Sequence, residues 1–290
     1  MTLAHLVPLA IGASMFLVVF AMGLTATVQE ATHLFRHPML LFRAVLSMNV
    51  VMVALAVAIS LLLKLDPVIK IALVTLALSP VPPILPLKQE KAGGSTSYTI
   101  GLLVGVAVVA IVLVPLSVKL LSLSTGVEMH MPFLKVLPVI LLSIVAPLSA
   151  GIAVKLLAPA LAGRILRPVS IFAVVLLVAA CLPVLFTAWP TLWRLVGNGV
   201  VLCLALFTLI GVAVGHALGG PNADDRTVLA LATGTRHPGV AIAIANVNFP
   251  NEKAVLAVVF YHLVIGAIVS VPYVKWRTRM HAAAQTRATL

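Results

Sequence analysis

Runs of about 20 apolar residues follow one another along the chain, and this pattern most limits what the chain can fold into. A helix needs about 20 apolar residues to cross a bilayer, and it satisfies its own backbone hydrogen bonds. Hydrophobic residues make up 62% of the sequence and charged residues 9%, whereas soluble domains carry roughly 25% charged residues. The pattern predicts an all-α polytopic membrane protein, with the 290 residues forming a single transmembrane domain.

The apolar runs and the turn signals between them predict about nine transmembrane helices. The predicted segments span residues 5–28, 39–63, 68–87, 95–123, 132–156, 167–188, 196–218, 226–247 and 254–275. Because nine is odd, the two termini are expected on opposite sides of the membrane.

The distribution of positive charge predicts which terminus is inside. With the N-terminus outside, the inner loops and tail hold twelve Lys and Arg residues and the outer loops hold six. Cytoplasmic loops are the ones enriched in Lys and Arg. We therefore expect a multi-pass protein of the inner (plasma) membrane with a cytoplasmic C-terminus. The net charge of +12 is interpreted as topogenic, and no nucleic-acid partner is expected.

Two of the nine segments are interrupted. The third contains four prolines in seven residues, Pro80, Pro82, Pro83 and Pro86. The eighth contains Gly234 and Pro238, and a proline removes an N–H group and clashes with the preceding turn. Each interrupted segment is the middle of a three-helix unit, and the three helices between the units reverse their orientation. This arrangement predicts two inverted repeats whose discontinuous helices cross near the midplane and form the binding site.

Polar residues at and beside the interruptions are the candidate substrate- or ion-binding residues. They are Ser79, Thr233, Thr235, Arg236 and His237, with Asn49 and Thr99 from neighbouring segments. Arg236 stands out because its charge is permanent, its planar fork suits a carboxylate, and such residues normally face a protein interior or a wet cavity. We expect Arg236 to be an anion ligand or a fixed internal counter-charge. The alternative is that it caps helix carbonyls nearer an interface.

Histidines offer a separate possibility of proton coupling, because they titrate near neutral pH. His237 is the candidate for this role, the alternative being a hydrogen-bonded structural residue. His216 and His262 are predicted to be satisfied core or interface residues. No histidine pair has zinc-ligand spacing, and the seven acidic residues map to loops or helix ends. No metal site, cofactor or enzyme activity is expected, since enzyme motifs are also missing from the sequence.

Several short motifs carry a resemblance to a known family. They are Ala21-Met22-Gly23-Leu24-Thr25, Arg36-His37-Pro38, Leu78-Ser79-Pro80 and the run from Gly234 to Ala243. In these motifs and in segment order the chain resembles the bile acid:sodium symporter family. The resemblance implies a core domain, approximately 39–123 and 196–275, and a panel domain of helices at approximately 5–28, 132–156 and 167–188. It also implies transport of organic anions such as bile acids, steroid sulfates or pantoate-like carboxylates, usually with Na⁺.

The chain departs from this family at positions that the resemblance assigns to sodium binding. In the first crossing, glycines and a Ser-Asn pair are replaced by Val81, Pro82, Leu85 and Pro86. In the second crossing a Glu, a Gln and an Asn are replaced by Ala232, Arg236 and His237. Thr99 remains, and Asn49 stands in place of a Gln. Coupling to Na⁺ by the usual sites is therefore not expected, and we hypothesise that the Arg236 guanidinium occupies the place of a coupling cation.

Together these observations predict a secondary transporter of a small organic anion, of carboxylate or sulfonate type, that works by alternating access of core against panel. One alternative is a Na⁺-coupled symporter with relocated ion ligands. Another is a membrane receptor that binds its ligand without translocating it. A channel is less favoured, because the sequence contains no repeated filter or ring of like charges.

Overall fold

The computed structural model describes residues 3–82, 89, 92–125, 128–196, 199–252 and 254–288. Every regular element in this part of the chain is a helix. Seven helical stretches are long and apolar enough to cross a membrane, and two shorter apolar helices, Leu9–Gly23 and Pro67–Leu78, accompany them. The prediction of an all-α polytopic membrane protein is confirmed.

The helices are numbered here in chain order. They are α1 (Leu3–Gly23), α2 (Val28–Ala31), α3 (His33–Arg36), α4 (Pro38–Leu62), α5 (Pro67–Leu78), α6 (Thr96–Thr125), α7 (Phe133–Leu157), α8 (Pro159–Val196), α9 (Val200–Leu218), α10 (Ala223–Gly234), α11 (Pro238–Asn248), α12 (Ala254–Val269) and α13 (Val271–Ala288). Two of them, α4 and α7, contain a π-helical stretch, Leu46–Val51 and Leu141–Val145 respectively.

Local signals explain where several helices begin. Pro38, Pro67 and Pro238 each occupy the first turn of a helix, where a missing N–H group costs nothing. At the start of α5, Asp66 Oδ1 also accepts a hydrogen bond of 2.9 Å from the backbone N–H of Val68. Such caps satisfy donors that a helix start otherwise leaves unpaired.

The prediction of a loop between the fifth and sixth segments is wrong. Residues 157–166 were expected to be irregular, but only Ala158 separates α7 from α8, which begins at Pro159. Arg164 and Arg167 consequently lie on a helix, with exposed side chains. Ala160, Leu161 and Ala162 are strong helix formers, and α8 continues through Gly163 and Pro168 although both residues weaken a helix. The end of the last segment, predicted at 275, likewise extends as helix to Ala288.

The helices pack in two groups. The first is α1 with α7 and α8, and the second brings α9, α10, α5, α11 and α12 together. Small residues let α9 approach α10 closely: a Cβ atom on Gly215 would lie 2.4 Å from the carbonyl oxygen of Leu229, and one on Gly211 would lie 2.8 Å from that of Thr233. Such pairs of small residues are a common means of helix association in membranes. Gly211 and Gly215, four residues apart on α9, form such a pair.

We expect Gly215→Ala to lower the thermal unfolding midpoint of the purified protein in detergent, because the new methyl group would meet backbone atoms of α10 that cannot rotate away. The matched control is Gly163→Ala on α8, where a Cβ atom meets nothing within 4 Å. This control should leave the midpoint unchanged or raise it slightly, since alanine is the better helix former. Equal midpoints for the two variants would contradict the close packing of α9 on α10.

Candidate functional site

The two interruptions lie against each other. Helix α5 ends just before Ser79, whose backbone is extended, and α10 ends before Thr235, which is also extended. A new helix then begins at Pro238. Between the two interruptions the backbone N–H of His237 donates to the carbonyl oxygen of Pro80 at 2.8 Å. The continuation of the third segment, with Pro83, Leu85 and Pro86, lies outside the described residues.

Arg236 is fully buried at this junction. Its Nη1 donates to the carbonyl oxygen of Ser79 at 3.2 Å, and its Nη2 donates to that of Met48 at 2.9 Å. The guanidinium carbon lies 5.9 Å from the centre of the Phe207 ring. None of the ion pairs between described residues involves Arg236. Its positive charge is therefore stabilised by backbone carbonyl dipoles and an aromatic face.

The two acceptor carbonyls belong to places where the helical ladder is interrupted. Ser79 is the residue directly after α5, where the carbonyl end of a helix carries partial negative charge. Met48 lies in the π-helical stretch of α4, and such stretches often mark functional positions. The guanidinium thus connects α4, α5 and the second interruption in one set of hydrogen bonds.

His237 faces a different neighbour. Its Nε2 lies 3.4 Å from the hydroxyl oxygen of Ser143, in the π-helical stretch of α7. Its Nδ1 accepts a 3.4 Å hydrogen bond from the backbone N–H of Val240 and so caps α11. The side chain is 1% exposed. Two adjacent residues of the segment between α10 and α11 therefore contact different helices. Arg236 contacts α4 and α5, and His237 contacts α7.

The hydroxyl groups of the other predicted residues at the interruptions are used within the protein. Thr233 and Ser47 share a buried hydrogen bond of 2.7 Å between their Oγ1 and Oγ atoms. The hydroxyl of Thr235 donates to the carbonyl oxygen of Leu231 at 2.5 Å, and that of Ser79 donates to its own helix at 2.7 Å. These contacts stabilise the helix ends around Arg236.

Asn49 and Thr99 differ from the rest of the predicted set. Both are buried, and among the described residues neither Asn49 Oδ1 nor Thr99 Oγ1 has a hydrogen-bond partner. Asn49 follows Met48 in the π-helical stretch. No hydrogen bond between described residues joins either side chain to Arg236 or His237. Their membership of the site therefore stays a prediction.

Sequence reasoning missed several residues of this region. Ser47, Met48, Ser143 and Phe207 gave no signal, because Met48 contributes only a backbone carbonyl and the others resemble ordinary residues of an apolar helix. Ser47, Met48 and Ser143 lie in the π-helical stretches, which have no recognisable sequence pattern.

The histidine predictions had mixed outcomes. His216 Nδ1 lies 2.8 Å from the hydroxyl oxygen of Tyr273, in keeping with a satisfied residue. For His262 that prediction is wrong as far as the described residues go, since neither of its buried ring nitrogens has a partner among them. The sequence could not indicate this, because hydrogen-bond partners come from other helices.

We expect Arg236→Met to lower the thermal unfolding midpoint markedly, because the carbonyl groups of Ser79 and Met48 would lose their donors. An unsatisfied buried polar group costs about 1 to 3 kcal/mol. Arg164→Met, at an exposed position on α8, is the control and should unfold like the unmodified protein. An Arg236→Met midpoint as high as that of the control would show that these carbonyls do not depend on the guanidinium.

The comparison with known proteins covers the first interruption and not the second. The profile of the Sodium Bile acid symporter family matches residues 13–189, more than half of the chain. The matched range includes Ser79 and Ser143 and ends before Arg236. No curated protein matches the chain. The extent of the family match, together with the helical membrane fold, establishes that this chain belongs to the sodium bile acid symporter family.

Proposed function

We propose that this protein is a secondary transporter that moves a small organic anion across the membrane by alternating access, without Na⁺ at the usual family sites. The observation that carries the proposal is the pair of hydrogen bonds from Arg236 to the carbonyl oxygens of Ser79 and Met48. In the family that the sequence resembles, the position of Arg236 holds a Gln that belongs to the sodium site. In this chain the side chain at that position is itself a cation.

A guanidinium can serve the structural purpose of a bound cation. In transporters with discontinuous helices, unwound carbonyls and half-helix C-terminal ends coordinate the coupling ion. The carbonyl oxygens of Ser79 and Met48 are groups of this kind, and the two arms of Arg236 donate to them. Because the charge is covalently attached, it remains through every step of a transport cycle. Because no Na⁺ binds at this position, a Na⁺ gradient cannot drive transport through it.

The helix packing supports a division into core and panel. We assign α1, α7 and α8, which pack together, to the panel, and α4, α5, α6 and α9 to α12 to a core with two inverted repeats. The contact between His237 and Ser143 lies at the boundary between these groups. We place the anion at this boundary, where motion of core against panel would expose it to either side. The orientation with the N-terminus outside stays part of the proposal.

A second candidate function is a Na⁺-coupled symporter with relocated ligands. The observation in its favour is that Asn49 Oδ1 and Thr99 Oγ1 are buried oxygens without partners in the part of the chain that the structure describes. Oxygen atoms are the ligands that hard cations prefer. This candidate and the first one differ in a measurable way, because only the second requires Na⁺. A receptor with the same fold would bind an anion and never translocate it.

We expect reconstituted proteoliposomes to take up an organic anion equally well in NaCl and in KCl. The probes are taurocholate, a sulfonate, and pantoate, a carboxylate, with protein-free liposomes as the control. A strict requirement for Na⁺ would contradict our interpretation of Arg236 and favour relocated ion ligands. Binding of a probe in detergent with no uptake into liposomes would favour the receptor.

We expect Arg236→Gln to make the protein sensitive to Na⁺. The neutral amide leaves the carbonyl oxygens without a positive charge, so the thermal unfolding midpoint should fall in KCl and recover partly in NaCl, because a ligand of the folded state stabilises it by mass action. The unmodified protein and Arg164→Gln should show the same midpoint in both salts. A midpoint of Arg236→Gln that does not respond to Na⁺ would remove the support for a surrogate cation.

A further inference from the structure

Helix α13 presents two different faces. Tyr273, Arg277 and His281 are four residues apart and lie on the side that packs against the rest of the protein. Arg277 is buried there, with Nε donating to Thr227 Oγ1 at 2.7 Å and Nη2 donating to the carbonyl oxygen of Ala223 at 2.8 Å. This side of α13 therefore holds the first two turns of α10.

The opposite side of α13 carries positive charge that no described residue neutralises. Lys275 and Arg279 are exposed and one helical turn apart, and Trp276 and Met280 beside them are 46% and 51% exposed. Neither basic side chain forms an ion pair with a described residue, and the sequence of α13 contains no Asp or Glu. We call these four side chains the basic face of α13. It combines two positive charges with two large apolar side chains.

Trp276 is held in a fixed position on this face. Its ring centre lies 5.6 Å from that of Tyr273 and 5.5 Å from that of His216. The guanidinium carbon of Arg277 lies 5.5 Å from the same ring centre. An indole ring that is well packed on one side and exposed on the other suits the boundary between hydrocarbon and water, where Trp and Tyr are enriched in membrane proteins.

The length of the helix places the basic face at this boundary. Only Ser270 separates α12 from α13, and Ala254–Ala283 is long and apolar enough to cross a membrane. Residues 251–252, just before it, are polar and exposed. At 1.5 Å per residue Lys275 lies about 32 Å from Ala254, and the hydrocarbon core of a bilayer is about 30 Å thick. The basic face therefore lies at the level of the lipid headgroups.

We propose that the basic face of α13 binds an anionic phospholipid of the surrounding bilayer, with the lipid phosphate between Lys275 and Arg279 and the lipid chains beside Trp276 and Met280. Ammonium and guanidinium groups make short, charge-assisted hydrogen bonds to phosphate oxygens. Basic segments next to a membrane-spanning helix are attracted to anionic lipids. A zwitterionic phospholipid fits less well, because its own ammonium group opposes the two positive side chains. An acidic protein segment in solution also fits less well, because half of this face is apolar and lies at the bilayer.

A lipid bound here acts on the second interrupted segment through α13. The helix that contacts the lipid also bonds to Ala223 and Thr227, near the start of α10. Helix α10 leads directly to the interruption that contains Arg236. A ligand that binds the folded state stabilises it by mass action, so the lipid should raise the thermal unfolding midpoint.

The first test measures this midpoint for purified protein in a neutral detergent, with dioleoyl phosphatidylglycerol or dioleoyl phosphatidylcholine added at equal concentration. We expect the anionic lipid to raise the midpoint by a few degrees more than the zwitterionic one. The double variant Lys275→Gln/Arg279→Gln should lose this difference. The matched control is Arg164→Gln/Arg167→Gln, which removes two exposed basic residues of α8 and should keep it.

Three outcomes of the first test would overturn the proposal. One is that the two lipids have the same effect on the unmodified protein. Another is that the difference is lost equally in both double variants, because the net charge of the protein and not the basic face would then be responsible. The third is that soluble glycerol 3-phosphate raises the midpoint as much as the anionic lipid, because a membrane lipid would then not be required.

A second measurement leaves Lys275 and Arg279 in place, so it decides the matter even if their double variant does not fold. The chain has three Trp residues, and Trp189→Phe/Trp193→Phe leaves Trp276 as the only one. We expect its fluorescence to be quenched more strongly by brominated phosphatidylglycerol than by brominated phosphatidylcholine at the same mole fraction. Equal quenching would contradict a preference for anionic lipid at this face. Neither measurement involves a transported substrate, so their outcomes do not depend on the proposed transport function.

Discussion

The structure around the two interruptions depends on one buried positive charge. Removing an arginine from water is costly, and the cost must be offset inside the protein. Arg236 has carbonyl oxygens for its two arms and an aromatic face below it. Those carbonyls are available only because α5 ends at Leu78, directly before Ser79, and because α4 has a π-helical stretch at Met48. The charge and the irregular backbone therefore stabilise each other, and neither would be tolerated alone in a membrane interior.

The surrounding packing keeps this arrangement in position. Gly215 brings α9 against α10 with almost no space between the backbones, so the first half of the second interruption has little freedom. On the other face, His237 reaches α7 and caps α11. An interruption supported on one side by α9 and on the other by a contact with α7 suits the proposed movement of core against panel. The ring of His262 packs edge-on against Phe207, and its nitrogens have no partner among the described residues.

Much of the fold could be predicted because lipid imposes a simple rule. Apolar runs of sufficient length must be helices, and this is why segments such as 39–63 and 132–156 match α4 and α7 within a residue. The interruption near Arg236 was also predictable, since Gly234 and Pro238 both weaken a helix. The direct connection of α7 to α8 at Ala158 was not predictable, because α8 continues through Gly163 and Pro168, which weaken a helix in the same way. Polarity alone indicates no such boundary.

By itself the sequence determined the membrane class, the helical elements, the place of the interruptions and the presence of Arg236 in one of them. These follow from composition and from the local chemistry of proline, glycine and charge. Only the tertiary structure decided that the guanidinium bonds to Ser79 and Met48, that His237 faces Ser143, and that His262 has no partner in the described part of the chain. The reason is that hydrogen-bond partners from helices far apart in sequence depend on how the helices pack, and a π-helical stretch at Met48 has no sequence pattern by which it could be recognised.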